Sequence, residues 1–210
     1  MITLDIETIP TQNEEFKADI KATLKRPKTT TKCGGDVDAL MEEMFVEKWQ
    51  KTALDPAYGT IVCICVDING VEYSWCGPDE LKLISDFNSV MEEFKDEVII
   101  THYGKMFDMP FLARRSWVNG LPNVFEAFPG PASQSVMDTR EMWCGSYNKQ
   151  EHIKLNKLAS IFGLGSKTAD GSNVFSMWFE GDFDAIEKYC MEDVKLTLAV
   201  FNKLNVGGVK

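Results

Sequence analysis

The sequence predicts a three-layer α/β domain with a mixed central sheet flanked by helices. Strand-like and helix-like patterns alternate along its 210 residues. The most apolar strand pattern, TIVCICVD at 60–67, shows no alternation, which is typical of a strand that is buried on both faces. The Asn69-Gly70 pair that follows predicts a hairpin to an antiparallel strand at 71–76, and this hairpin makes the predicted sheet mixed.

The first predicted strand lies in the opening segment 2–10, where Ile2, Leu4 and Ile6 alternate with other residues and Thr8, Ile9 and Pro10 follow the strand. Two helical patterns follow, at 16–24 and 37–49, with a basic break between them, so we expect a helical insertion at about 11–52.

After the hairpin, the patterns predict short strands and helices in alternation, within a single domain over 1–210. These are a helix at 78–94, a strand at 98–101, a helix at 111–118, a loop at 125–134, a strand at 136–139, a helix at 155–162, a polar loop at 165–172, and a long final helix from its cap Asp182 to Leu204.

The charge, apolar runs and cysteines of the chain argue against some classes of function. The net charge of −10 argues against a simple electrostatic nucleic-acid binder but not against an enzyme that reaches phosphates through bound metal. Apolar runs are too short to span a membrane, so no membrane partner is expected. The six cysteines show no Cys-x-x-Cys spacing, and we expect reduced thiols in a cytoplasmic protein, of a bacterium or of the host cell if the protein is viral.

Acidic residues recur at the ends and edges of predicted elements. Asp5 and Glu7 share one face of the first strand, where their repulsion favours a divalent cation such as Mg²⁺ or Mn²⁺. Asp108 opens a predicted helix, and Tyr189 and Asp193 are four residues apart on the last helix. Taken singly, each has a structural alternative: a solvated strand face, a helix N-cap and a polar helix face.

Together these residues resemble the DEDDy 3′–5′ exonucleases of the ribonuclease H-like superfamily. The three motifs of that group are matched in order by Asp5-Ile6-Glu7, Phe107-Asp108 and Tyr189-x-x-x-Asp193. The chain is most similar to stand-alone proofreading-type exonucleases related to family B DNA polymerases. Segments 53–62, 154–158 and 171–174 extend the resemblance along the chain.

The resemblance implies a ribonuclease H-like fold and hydrolysis of single-stranded DNA from its 3′ end, releasing nucleoside 5′-monophosphates. It also implies that Asp5, Glu7, Asp108 and Asp193 hold two Mg²⁺ or Mn²⁺ ions, with Asp5 bridging, and that Tyr189 orients the attacking water. One position departs from the family pattern: Tyr103 follows His102 where the family usually has Asn. The candidate substrate contacts are Thr8, Ile9, His102, Tyr103, Lys105 and Phe107.

Alternatives remain open for several of these assignments. Lys105 is also compatible with a solvated side chain and Phe107 with a core position, and Asp138 is expected to be structural. A ribonuclease D-like exoribonuclease, another metal hydrolase and a non-catalytic nucleic-acid-binding module are alternative functions. We expect a monomer that acts on single-stranded DNA or RNA 3′ ends in replication or repair, with a separate polymerase as a candidate partner.

Overall fold

The computed structural model describes residues 1–26, 36–145, 152–165 and 173–205. A five-stranded mixed sheet organises these residues in the order β3-β2-β1-β4-β5. The strands are β1 (Ile2–Ile9), β2 (Thr60–Ile68), β3 (Val71–Cys76), β4 (Ile99–Thr101) and β5 (Val136–Asp138). The β2–β3 pair is antiparallel, whereas β1–β4 and β4–β5 are parallel. The predicted mixed α/β sheet is therefore confirmed.

Helices connect and flank the strands. They are α1 (Glu14–Thr23), α2 (Val37–Gln50), α3 (Glu80–Met91), α4 (Asp108–Val118), α5 (Thr139–Cys144), α6 (Leu155–Ile161), α7 (Val174–Glu180) and α8 (Phe183–Leu204). Among the described helices, none combines the length and the apolar character needed to cross a bilayer.

Two short helices were not predicted from the sequence. Helix α5 has only six residues, too few to show a helical period, and depends on Asp138, whose carboxylate accepts hydrogen bonds from Arg140 N and Glu141 N. Helix α7 follows residues 166–172, so most of the predicted polar loop at 165–172 and the start of the 171–174 segment lie outside the described residues. Helix α4 begins at Asp108, the residue expected to open it, three residues before the helical pattern at 111–118.

The chain divides into two compact units. The first comprises Met1–Glu7 and Ile61–Lys210, and the second comprises Thr8–Thr60. The second unit contains the predicted insertion: Asn13 and Asp36 cap α1 and α2 with their side chains, and Trp49 Nε1 donates to Thr11 O over 2.7 Å.

The core of the first unit is built around β2. Residues 61–66 are all at most 1% exposed, which confirms a strand that is buried on both faces. Ile2, Leu4 and Ile6 of β1 pack in the same hydrophobic cluster, with Phe87 of α3 and Phe111 of α4. Because protein interiors are close-packed, this cluster holds β1 and the start of α4 rigidly in place.

One sequence-based expectation about the cysteines is wrong. Cys63 and Cys76 form a disulfide, although all six cysteines were expected to be reduced. The hairpin register places these residues directly opposite each other on β2 and β3, with their Cα atoms 4.1 Å apart. Cys65, Cys144 and Cys190 are free thiols in the described part of the chain.

Candidate active site

The acidic pair of β1 flanks a core residue. Ile6 is 4% exposed and points into the hydrophobic cluster, so Asp5 and Glu7 lie on the other face of the strand, where both are half-buried. The backbone N–H of Ile6 donates to Asp108 Oδ1 over 3.2 Å. This hydrogen bond brings the first residue of α4 next to the strand position between the two acids.

Asp108 is a buried carboxyl group with a strongly raised pKa. Phe107 occupies the N-cap position of α4, and Asp108 is the first helical residue. The carboxylate of Asp108 accepts a hydrogen bond from Ile6 N of β1. Burial, together with the negative charges of Asp138 and Asp193, raises the pKa of Asp108 to about 7, against the lowering effect of backbone hydrogen bonds from Asp108 itself and Ile6. A buried carboxyl among like charges is a place where a dication is stabilising.

Helix α8 contributes the remaining residues. Cys190 is fully buried, and its Sγ lies 3.4 Å from Asp5 O and 3.6 Å from Asp5 Oδ2. Tyr189 and Asp193 are half-buried, one turn apart on the same helix, and the charge of Asp193 reaches Asp108. Elements β1, α4 and α8, which are far apart in sequence, therefore meet at one point.

Cys190 is a residue that the sequence reasoning missed. It lies inside the Tyr-x-x-x-Asp segment, three residues before Asp193, so it shares part of that helix face. Its position in that segment was the available signal, and only the packing of α8 on β1 shows the contact with Asp5.

The loop before α4 is held by Asp138. Its carboxylate accepts from Tyr103 N over 2.9 Å and from Lys105 N over 3.2 Å, and also from Arg140 N at the start of α5. Gly104 lies so close to Thr101 that a Cβ at this position would be 2.4 Å from Thr101 Cβ. The structure thus gives Asp138 a structural role, one that fixes the backbone leading into Asp108.

Three of the predicted substrate contacts are engaged within the protein. The ring nitrogens of His102 lie 2.9 Å from Thr139 Oγ1 and 3.1 Å from Ile153 O, and burial lowers the pKa of this histidine. Lys105 is 8% exposed, and its Nζ pairs with Glu141 Oε2 over 2.8 Å. Phe107 is half-buried and packs on Phe111, with the ring centroids 5.3 Å apart.

The other three predicted contacts differ in exposure. Tyr103 is 38% exposed, has a φ of 70°, and has Arg140 Cζ 4.3 Å from its ring centroid. Within the second unit, Thr8 Oγ1 donates to Ala53 O over 2.7 Å, and Ile9 is 1% exposed. Of the six, Tyr103 is the one aromatic side chain with a large exposed surface.

Elements β1, α4 and α8 bring a set of acidic side chains into one neighbourhood: Asp108 accepts from Ile6 N, between Asp5 and Glu7, and the charge of Asp193 reaches Asp108. Such a set suits hard divalent cations, and Asp5 and Glu7 each offer an oxygen within 4.8 Å of the other. The five-stranded mixed sheet with flanking helices is the architecture of the ribonuclease H-like class of α/β folds.

Comparisons with known proteins agree with this class. The family model described as a predicted 3′–5′ exonuclease related to the exonuclease domain of PolB matches residues 66–207, and the chain belongs to that family. Asp108, Tyr189 and Asp193 lie inside the matched range, and Asp5 and Glu7 precede it. The match supports nuclease activity, and exonuclease domains of this type generally use divalent metals.

A solved structure shows the same fold. The chain is similar to the family B DNA polymerase of the hyperthermophilic archaeon Pyrobaculum calidifontis, with a TM-score of 0.63 and 18% sequence identity. The similarity covers 97% of this chain and 24% of the polymerase chain, so the protein spans about a quarter of that polymerase. No curated protein sequence matches.

Proposed function

We propose that the protein is a metal-dependent 3′–5′ exonuclease. It hydrolyses phosphodiester bonds at the 3′ end of single-stranded DNA and releases nucleoside 5′-monophosphates. The observation that supports this most directly is the Ile6 N to Asp108 Oδ1 hydrogen bond, because it joins the acid of α4 to the strand that carries Asp5 and Glu7. Family membership supports the same reaction class.

Asp5, Glu7, Asp108 and Asp193 would hold two divalent cations, Mg²⁺ or Mn²⁺. When bound, such a pair activates a water molecule and stabilises the departing 3′ oxygen. The protein's own contribution is to hold the carboxylates in place, since Asp108 is fixed by Ile6 and by the loop that Asp138 anchors. The pKa of Asp108 is about 7 in the folded protein, so a cation held by this carboxylate would compete with a proton near neutral pH.

Tyr189 is assigned to the attacking water. A tyrosine hydroxyl has an ordinary pKa of about 10, so at neutral pH it is a hydrogen-bonding group and a poor base. Its position one turn before Asp193 on α8 lets the hydroxyl and the carboxylate act on the same site. Tyr189 is therefore assigned first to positioning the attacking water and second to handling its proton.

The loop 102–107 is assigned to the substrate strand. Tyr103 offers an exposed ring on which a base can stack. His102, Lys105 and Phe107 stabilise this loop through their internal contacts. The backbone segment of Thr8 and Ile9, which follows the acidic pair on β1, is assigned to the terminal nucleotide. We further propose that the chain acts as a monomeric single domain, alongside a separate polymerase, in DNA replication or repair.

The test is a gel assay of a 5′-labelled single strand with Mg²⁺ or Mn²⁺. Wild-type protein should give a ladder that shortens from the 3′ end, and Asp5→Ala and Asp193→Asn should abolish it. Glu192→Gln is the matched control, because Glu192 is exposed and adjacent to Asp193 on α8.

Two outcomes would overturn the proposal: products that shorten from the 5′ end, or a ladder that survives both substitutions. The same assay with DNA and RNA strands of matched sequence compares the digestion rates of the two nucleic acids. Faster digestion of RNA would replace the DNA assignment with the exoribonuclease alternative. Metal-independent binding without cleavage would indicate a binding module.

A further inference from the structure

A sulfur atom lies beside the acidic pair of β1. The Sγ of Cys190 and one carboxylate oxygen each of Asp5 and Glu7 all lie within 4.8 Å of one another. Cys190 is completely buried and carries a free thiol, since the disulfide uses Cys63 and Cys76. Nothing in the proposed hydrolysis requires this thiol, because the carboxylates alone suit Mg²⁺ or Mn²⁺.

We propose that Asp5, Glu7 and Cys190 form a mixed oxygen–sulfur site for a thiophilic divalent cation, Zn²⁺ or Cd²⁺. In a tetrahedral zinc site, with Zn–S of about 2.3 Å and Zn–O of about 2.1 Å, the sulfur and oxygen ligands are about 3.6 Å apart. The observed distance between Cys190 Sγ and Asp5 Oδ2 is 3.6 Å. These two ligands are therefore spaced for such an ion without rearrangement.

The donor set has the composition of an open zinc site. Three protein ligands leave a fourth position for water or a phosphate oxygen, as in catalytic zinc sites. On binding, the S–H bond of Cys190 breaks, its proton passes to solvent, and a sulfur–metal bond forms. The two carboxylates and the thiolate together carry more negative charge than the dication, so binding neutralises most of the repulsion at this point.

The softness of the thiolate ligand determines which metal ions the site selects. Thiolate ligands favour Zn²⁺ and Cd²⁺, whereas Mg²⁺ prefers oxygen alone. A soft cation held through Cys190 occupies Asp5 and Glu7, which the proposed nuclease reaction needs for its hard cations. The consequence is a site at which zinc-like metals compete with Mg²⁺ and Mn²⁺.

Cadmium is the probe, because a Cd²⁺–thiolate bond gives an ultraviolet charge-transfer band that carboxylates do not give. Metal-free protein is titrated with Cd²⁺ in the absence of substrate. Wild type and Cys144→Ala, which removes a free thiol on α5, should show the band with saturation at one equivalent.

Cys190→Ala should lose the band. Its affinity for Cd²⁺, measured by competition with a chelating dye, should fall at least about tenfold to a hundredfold, the usual cost of losing even an outer-shell partner. Asp5→Asn should keep a band but bind with a similar loss of affinity. Cys190→Ser provides a second variant if alanine leaves a cavity that prevents folding, and it should also lack the band.

Three results would overturn the proposal. They are a wild-type protein without a band, a band that persists when Cys190 is replaced, and an Asp5→Asn variant with unchanged affinity. The last result would indicate a site made of sulfur alone, with Cys65 as the neighbouring thiol. These measurements use no nucleic acid, so they succeed or fail independently of the exonuclease assignment.

Discussion

Replacing Asp108 by Asn tests the electrostatics of the site directly. Burial raises the pKa of Asp108 from an ordinary 3.8 to about 7 in the folded protein. The folded state therefore holds a proton that the unfolded chain releases, and metal-free protein loses stability as the pH rises from about 4 to about 7. Above pH 7 the full effect corresponds to about 4 kcal/mol, because a change of one in pKa is worth about 1.4 kcal/mol.

Asn is neutral at every pH and retains an oxygen that can accept from Ile6 N. Between pH 5 and pH 8, wild type should therefore lose about 3 kcal/mol more unfolding free energy than Asp108→Asn. The measurement is urea denaturation in the presence of EDTA at both pH values. Asp79→Asn controls for the loss of one charge, because Asp79 is an exposed cap of α3 whose hydrogen bond to Lys82 N an amide can replace.

An equal free-energy difference between wild type and Asp108→Asn at pH 5 and pH 8 would refute the reasoning. It would mean that Asp108 does not titrate differently in the folded and unfolded states. Adding Mn²⁺ gives a second measurement on the same proteins. The rise in melting temperature should be larger at pH 8 than at pH 5, since at the lower pH the cation must displace the Asp108 proton, and Asp108→Asn should lose this difference.

The remaining predictions concern Tyr189, which is assigned to the attacking water, the loop before α4, and Asp138, which holds that loop. Tyr189→Phe should lower the exonuclease rate by about a hundredfold and leave the stabilisation by Mn²⁺ unchanged. The control Tyr73→Phe on β3 should leave the exonuclease rate unchanged. An unchanged rate for Tyr189→Phe would refute the role of Tyr189. Gly104→Ala should cost about 1–3 kcal/mol in denaturant unfolding, because the added methyl group meets the buried Thr101; wild-type stability would contradict the close approach. Asp138→Ala should cost about 3 kcal/mol, since several backbone N–H groups lose their acceptor, and a loss below about 0.5 kcal/mol would show that water replaces the carboxylate.

Much of the sheet could be predicted from local pattern. The unbroken apolar run of β2 and the Asn69-Gly70 turn specify a buried strand and its antiparallel neighbour, because strand burial and hairpin register depend on adjacent residues. That same register places Cys63 opposite Cys76, a pairing that Cys-x-x-Cys spacing alone does not indicate. Helix α8 was predicted with its cap, since a 22-residue amphipathic pattern is unambiguous.

Short or context-dependent elements were less predictable. Helix α5 has too few residues for a period, and its cap Asp138 also binds the loop before α4, which local sequence does not show. The sequence alone is compatible with a solvated Lys105 on the surface. The ion pair of Lys105 with Glu141 depends on how α5 packs beside that loop.

The order of the acidic motifs, their residue types and the elements that carry them were determined by the sequence alone, because they follow from periodicity and from residues a few positions apart. The tertiary structure decided which groups touch. Asp108 accepts from Ile6, Cys190 meets Asp5, and the pKa of Asp108 is raised, because each depends on burial and on residues that are far apart in the sequence. Such contacts are fixed by close packing of the whole core, which no local pattern encodes.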